Sequence, residues 1–290
     1  MTSRIRATTL AVALACLAAP ALADEMADKQ ISTEELNING DTPITTVAPA
    51  SELLKGHLDT VYSGWLFREA DTRQMEQDDF ENPNFVFVEQ AQDVWNTAEG
   101  TVGKSCADCH GTPEEGMKGV RATMPKINAG GDLWSLEDYV NDCRVTRMGA
   151  EKWKWNSPQM KNMTALISVQ SRGMPVNVAI DGPAAPHWEK GKEMYYTRYG
   201  QLELSCASCH EQNYGNFIRA DHLSQGQVNG FPVYRLKDAG LVSIHQRFVG
   251  CIRDTRAETF AAGSPEFHDL ELYVASRGTG LDIEGAGVRP

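Results

Sequence analysis

The chain of 290 residues lacks a basic surplus: Lys and Arg number 27 against 39 Asp and Glu, a formal net charge of −12. Without a general basic face it cannot replace phosphate counterions, which argues against nucleic-acid binding. After the first segment no run of eighteen unbroken apolar residues occurs, so no membrane span is expected. Long stretches of alternating apolar and polar residues are also scarce, and helical periodicity dominates what remains. The hydrophobic set makes up 41% of the chain, enough for a sizeable core, and the length suits two ordinary domains.

The first segment has the layout of an export signal. Arg4 and Arg6 precede an apolar run from Leu10 to Leu22, and Ala21-Leu22-Ala23 is a small-x-small cleavage site followed by Asp24-Glu25. Acylation of Cys16 is the weaker alternative, because Ala13-Leu14-Ala15-Cys16 lacks the usual Leu three residues before the Cys. Cleavage near Ala23 removes two Arg and no acid, taking the charge from −12 to −14, and delivers six Cys to an oxidising compartment, the periplasm.

Those six Cys fall into a repeat. Cys106-Ala107-Asp108-Cys109-His110 and Cys206-Ala207-Ser208-Cys209-His210 are offset by 100 residues, with Thr97, Gly100 and Ser105 matching Thr197, Gly200 and Ser205. Downstream, Leu133, Ser135, Leu136, Val140 and Cys143 match Leu241, Ser243, Ile244, Phe248 and Cys251 at an offset of 108. One shared order of features, repeated once, implies a duplicated domain and not a solenoid. Residues 1–23 form the signal peptide, 24–50 an extended acidic arm, and 51–180 a first domain with an N-terminal helical extension. Residues 181–290 form the second domain, joined at Asp181-Gly182-Pro183. Leu53, Leu54, Leu58, Val61, Trp65 and Leu66 suggest an extra helix in the extension, and the Gly-rich tail from Gly278 suggests a loose end. In each repeat the Leu133–Cys143 and Leu241–Cys251 spacings predict one apolar helical stripe.

In a Cys-x-x-Cys-His pentad each thiol can form a thioether to one haem vinyl group, and the adjacent His reaches the iron. Two such motifs in a duplicated frame, behind an export signal, predict two covalent haem c groups on Cys106, Cys109, Cys206 and Cys209, with His110 and His210 as proximal ligands. Zinc would need four ligands per half, and a redox disulfide in either pentad lacks the surrounding βαβ pattern. The fold expected is mainly α: two tandem c-type cytochrome domains plus an N-terminal extension.

The distal ligands are less determined. No Met follows Met194, so the second half offers Cys251, His222, His245 and His268. Symmetry favours Cys251, with Cys143 in the first half; Met174 competes there, and a Cys143–Cys251 disulfide is the alternative for both. The three His have no partners in the first half and fit ordinary hydrogen-bonding roles better. Arg247 stands four residues before Cys251, on one helical face, where the first half has Tyr139. Its planar fork suits an oxyanion. Arg253 and Arg256, like Arg144 and Arg147, suit haem propionates or nearby acids.

These motifs, with Asn141-Asp142-Cys143-Arg144 and the run Arg247-Phe248-Val249-Gly250-Cys251, resemble the SoxA family in its dihaem form. The resemblance covers essentially the mature chain. It implies an L-cysteine S-thiosulfotransferase that oxidatively joins thiosulfate to a cysteine of a carrier protein and passes electrons to an acceptor cytochrome c. A SoxX-type monohaem subunit in a heterodimer and a SoxYZ-type carrier are the partners implied. Cys251 is then both distal ligand and sulfur-carrying catalytic residue, Arg247 binds substrate, and Cys143 ligates a haem away from the chemistry. A dihaem electron carrier and a dihaem peroxidase are the alternatives; the first needs no cation beside its ligand, and the second needs a displaceable His or Met.

Overall fold

The computed structural model describes residues 22–290, so nearly all of the export segment, Cys16 included, lies outside the described residues. The chain is mainly helical, with short strands at the turns between helices. The helices that frame the two halves are α1 (Ala70–Gln77), α2 (Phe85–Asn96), α3 (Ala107–His110), α4 (Leu136–Asp142) and α5 (Pro158–Val169), then α6 (Ala185–Tyr196), α7 (Cys206–His210), α8 (Ile244–Asp254) and α9 (Pro265–Ser276).

Two sets of elements follow one order. α2 leads through a Glu99–Lys104 bridge into α3, as α6 leads through a Tyr199–Leu204 bridge into α7. α2 then packs on α5, and α6 packs on α9. α2 does so through Val88, Ala91 and Trp95, one buried stripe at helical spacing. α6 and α9 cross where Gly191 has no side chain, since a Cβ there would stand 2.0 Å from the Asp269 carbonyl oxygen. The last helix of each set starts the same way. Ser157 and Ser264 accept from the backbone N–H groups of Met160 and Phe267, with Pro158 and Pro265 in the first turn.

The helices carrying Cys143 and Cys251 begin later than the periodicity predicts. Leu133 lies in a two-residue strand and Leu241 in the strand Gly240–Val242, and α4 and α8 start at Leu136 and Ile244. Ser135 and Ser243 are the reason. Ser135 forms a reciprocal capping box with Asp138, and Ser243 accepts from the Gln246 N–H. α4 runs on as a π-turn over Cys143–Met148, whereas α8 carries Cys251 in regular α-helix.

Three expectations for the ends of the chain are corrected. Residues 24–50 are not an extended arm: Leu36–Ile38 pairs with Thr42–Ile44, and Leu36, Ile38 and Ile44 are buried with Tyr62, Trp65 and Phe67. Their apolar residues are few, but Met26, Ile31, Leu36, Ile38 and Ile44 are all buried. Residues 51–67 form no long helix; a strand, Thr60–Tyr62, and two short 3-10 turns bury the same apolar side chains. The tail is not loose. Leu281, Ile283, Ala286 and Val288 are buried, and Val288–Arg289 pairs in parallel with Val233–Arg235. Its glycines serve turns, and its alternate apolar residues supply the packing.

The two halves also share their cores. Leu133 of the first half packs among Trp188, Tyr195, Phe267 and Tyr273 of the second. In exchange, Leu241 and Ala286 join Trp95, Leu136 and Leu166 of the first.

Candidate functional site

Each pentad forms one short helical turn, which puts its two thiols on one side and its His at the end. Ser105 and Ser205 hold the starts of these turns. The Ser105 hydroxyl donates to Asp108 at 3.0 Å, and Ser205 makes a capping box with Ser208. All six described Cys are free thiols, so the Cys143–Cys251 disulfide is absent among the described residues.

The folding of each half brings its later Cys to its own pentad. Cys143 lies within electrostatic reach of Cys106 and Cys109, and Cys251 of Cys206 and Cys209. His210 is fixed from behind: its Nδ1 meets the Ser224 carbonyl oxygen at 2.7 Å, and the ring lies so near Gly226 that a Cβ there would stand 2.8 Å from it. That leaves Nε2 free of the Ser224 bond, and His210 lies close enough to Cys251 to favour its thiolate. In the first half, Trp95 lies against the His110 ring, with centroids 5.9 Å apart, and its indole N–H donates to the Gly111 carbonyl at 2.9 Å.

This donor set suits a covalent haem in each half. Two thiols one turn apart would hold the group covalently, and the imidazole and the facing Cys would be available to its iron. The thiols are held as neutral groups until used, since burial pushes Cys106 up to about 11 and Cys206 up to about 12.

The two facing Cys differ. Burial raises the Cys143 thiol, Asp142 adds to the rise, and exposed Arg147 only partly opposes it. Burial also acts on Cys251, but the Arg247 guanidinium and the neighbouring His210 outweigh it, and the thiol falls to about 7. The difference follows from the substitution of Arg247 for Tyr139. Tyr139 instead packs against Trp134 with Lys126 above its ring. Among the described residues no carboxylate lies within ion-pair distance of Arg247; its strongest electrostatic partner is Cys251.

The competing residues are placed elsewhere. Met174 packs with Ala122, Val176 and Ile283. His222 is buried between the Phe67, Lys29 and Gly215 carbonyls, His245 meets Glu271 at 3.1 Å, and His268 meets Asp138 at 2.7 Å. Arg144 is committed to Glu99 and to the face of Trp153. Arg253 and Arg256 are exposed, with no ion pair to Asp254 or Glu258 among the described residues. The supports of His210 were not legible beforehand. Any residue can supply the Ser224 carbonyl, so sequence carries no trace of it. Gly226, at φ +74°, left only a glycine among many.

The description "SoxA/TsdA, cytochrome c domain" matches residues 90–176. The chain is 57% identical to the L-cysteine S-thiosulfotransferase subunit SoxA of Paracoccus pantotrophus, over 99% of this chain and 98% of that protein. It is 59% identical to the subunit of the same name from Rhodovulum sulfidophilum, over 88% and 90% of the two chains. A crystal structure of SoxXA from P. pantotrophus superposes with a TM-score of 0.87 at 59% identity, covering 90% of this chain and all of the other.

Proposed function

The chain belongs to the SoxA family of L-cysteine S-thiosulfotransferase subunits, and from that premise we propose that it joins thiosulfate to a cysteine of a SoxYZ-type carrier protein. The carrier thiol gives up its proton, its sulfur bonds to the outer sulfur of thiosulfate, and two electrons leave. Haem, when bound, supplies one-electron acceptors for them, so two centres suit a two-electron oxidation. The reading rests on one observation: Cys251 is within electrostatic reach of both the fixed His210 and Arg247, whose strongest electrostatic partner it is.

The residues divide the work. Cys106, Cys109 and His110 hold one haem c and Cys206, Cys209 and His210 a second, in tandem cytochrome domains that arose by duplication. Cys143 and Cys251 would each supply a further sulfur to hold the haem of their own half. Arg247 holds the anionic sulfonate end, which turns a bimolecular encounter between sulfurs into an oriented one. Cys251 is the residue that carries sulfur, as a persulfide. Ser224 and Gly226 keep the His210 ring from turning. The protein works in the periplasm after cleavage near Ala23. It pairs with a SoxX-type cytochrome subunit, as the superposed SoxXA structure supports, and an acceptor cytochrome c takes the electrons. No described helix is long and apolar enough to cross a membrane.

The test is thiosulfate-dependent reduction of cytochrome c with partner and carrier added, together with a pyridine haemochrome count. Turnover with two haems per chain supports the reading. Normal electron exchange without any thiosulfate dependence would leave a plain electron carrier, and one haem per chain would remove the duplicated-site assignment.

A further inference from the structure

Around Cys251 the structure gathers more positive charge than Arg247 alone. Arg235 ends the strand Val233–Arg235, whose partner strand Gly240–Val242 runs through Ser243 straight into α8. On its other side Arg235 is in register with Arg289, and the Arg289 guanidinium lies 3.5 Å from where a Cβ on Gly64 would stand. Arg68 follows Gly64 closely, donating from Nε to the Gly64 carbonyl at 3.1 Å and from Nη2 to the His222 carbonyl at 2.6 Å. Arg289 itself is paired with Glu76 and Glu284, but Arg68, Arg235 and Arg247, from three separate segments, lie within electrostatic reach of one another beside this small sheet. Arg235 is within electrostatic reach of both Arg247 and the Cys251 sulfur, and Arg68 within reach of Arg247 and Arg235.

None of the three is properly neutralised. Arg68 and Arg247 have no side-chain carboxylate within ion-pair distance among the described residues; Arg235 has Asp238 at 4.0 Å, and its Nε alone is taken, donating to the Pro290 main-chain oxygen at 3.0 Å. Like charges brought together in a half-buried place repel, and burial with neighbouring Arg side chains lowers Arg68 to about 9. Asp221 and Asp238 offset part of the charge from a distance. Yet the chain carries a net charge of −12 and has acids in excess with which to pair them. The spare nitrogens of these three Arg also remain reachable, unlike Nη2 of Arg172 and Arg277, which are sealed without partners. An electropositive pocket beside a sulfur nucleophile, in an acidic protein, is complementary to a dianion that must approach against repulsion.

We propose that Arg235 and Arg68 complete, with Arg247, an oxyanion cradle that sets the affinity for the sulfonate end of the substrate. Arg235 is the specificity-determining member, and Asp238 at its outer side tempers it. The inference rests on the thiosulfate-conjugating role of Cys251 and adds the residues that select its anion.

The test uses the full haem-loaded chain with its partner and carrier. Arg235→Gln raises the thiosulfate KM and the inhibition constant of sulfate, an unreactive oxyanion, by about tenfold each, with a smaller effect on kcat. Arg235→Lys recovers part of the loss, and Asp238→Asn moves both constants the other way by about twofold. Arg68→Lys, which keeps the charge and loses the fork, gives a smaller rise. Haem content and the potential of the second haem stay at wild-type values throughout. Unchanged KM and sulfate inhibition in Arg235→Gln would overturn the cradle. So would a shifted second-haem potential or lost haem in place of a KM effect, because these mark a propionate contact. Sulfate binding is measured separately, by calorimetry on the wild type and Arg235→Gln without carrier. Sulfate binding lost in Arg235→Gln, in a protein that does not turn over thiosulfate, would uphold the cradle and sink the conjugation reading.

Discussion

At the level of single residues, one substitution makes the two halves chemically different. Cys143 and Cys251 occupy matching places, but burial governs the first thiol and Arg247 the second. Replacing Arg247 with Ala removes a fork of charge-assisted donors. It is expected to cost about 1.5–3 kcal/mol, a rate loss of roughly ten- to a hundredfold. Arg247→Lys recovers only part, since a point charge does not reproduce the planar fork. Turnover with thiosulfate and carrier, read beside haem spectra and thermal stability, checks this. Wild-type turnover in Arg247→Ala refutes the role, and loss of haem with loss of activity points to a structural contact instead. Cys143→Met is the complementary experiment. With Cys143 holding the first haem as proposed, a neutral thioether in its place is expected to shift the spectrum and raise the potential of that haem only, and turnover to fall less than in Arg247→Ala. Potentiometric titration resolving the two centres decides it. Cys143, Cys251 and Arg247 were legible as candidates because the repeat aligns the two Cys and sets Arg247 against Tyr139. Arg68 and Arg235 were not, since nothing local in sequence ties residue 68 to residue 251.

At the level of elements, the repeat was visible in sequence but its helix boundaries were not. Periodicity extended the Cys-bearing helices back to Leu133 and Leu241, where Ser135 and Ser243 in fact begin them. The serines were aligned between the halves, yet their capping role lay in Asp138 and in the Gln246 N–H, three residues on. Two other aligned residues, Gly100 and Gly200, gain their reason only from the structure. Gly200 has φ +67°, and a Cβ there would stand 2.2 Å from the Thr255 carbonyl at the end of α8; Gly100 meets the Met148 carbonyl at the same 2.2 Å. Each glycine thus clamps the loop before a pentad onto the end of the helix that faces it. Gly200→Ala combines a disfavoured φ with a backbone clash, and is expected to destabilise the chain by about 2–4 kcal/mol. The spectrum of the second haem should broaden while that of the first holds. Chemical denaturation and the two Soret contributions are the readouts, and an unchanged second site would show that the clamp is dispensable.

The whole molecule departs most from what the sequence suggested. A low-hydrophobicity arm and a Gly-rich tail look unstructured when each is read alone; their apolar residues meet partners far away in the chain. One buried knot makes the point. Glu76 of α1 is wholly buried and takes the Val288 N–H at 2.7 Å and Arg289 Nη1 at 2.7 Å. Glu284, equally buried, takes Arg289 Nη2 at 2.8 Å and the Ser63 hydroxyl. Two carboxylates thus share one guanidinium, which leaves the knot one negative charge too many unless it holds a proton. Burial is the main cause and the Glu284 charge adds to it, so Glu76 is pushed up from 4.5 to about 8. The sign follows. Between those two values the folded chain keeps a proton that the unfolded chain has released, so this group's contribution is full below 4.5 and is lost as pH rises through about 8. Glu271, held down to about 2 by His245 and Ser135 against its burial, works the other way and loses its contribution in acid. Glu76→Gln imitates the protonated form, donating an N–H toward Glu284. It should reduce the fall in unfolding free energy between about pH 5 and 8 by about one proton's worth of slope, leaving the acid limb set by Glu271 in place. Urea unfolding of the haem-loaded chain across that range measures it. A slope identical to wild type would mean that the knot shares its proton elsewhere, and that the N-terminal segment and the tail are not joined through a neutral Glu76.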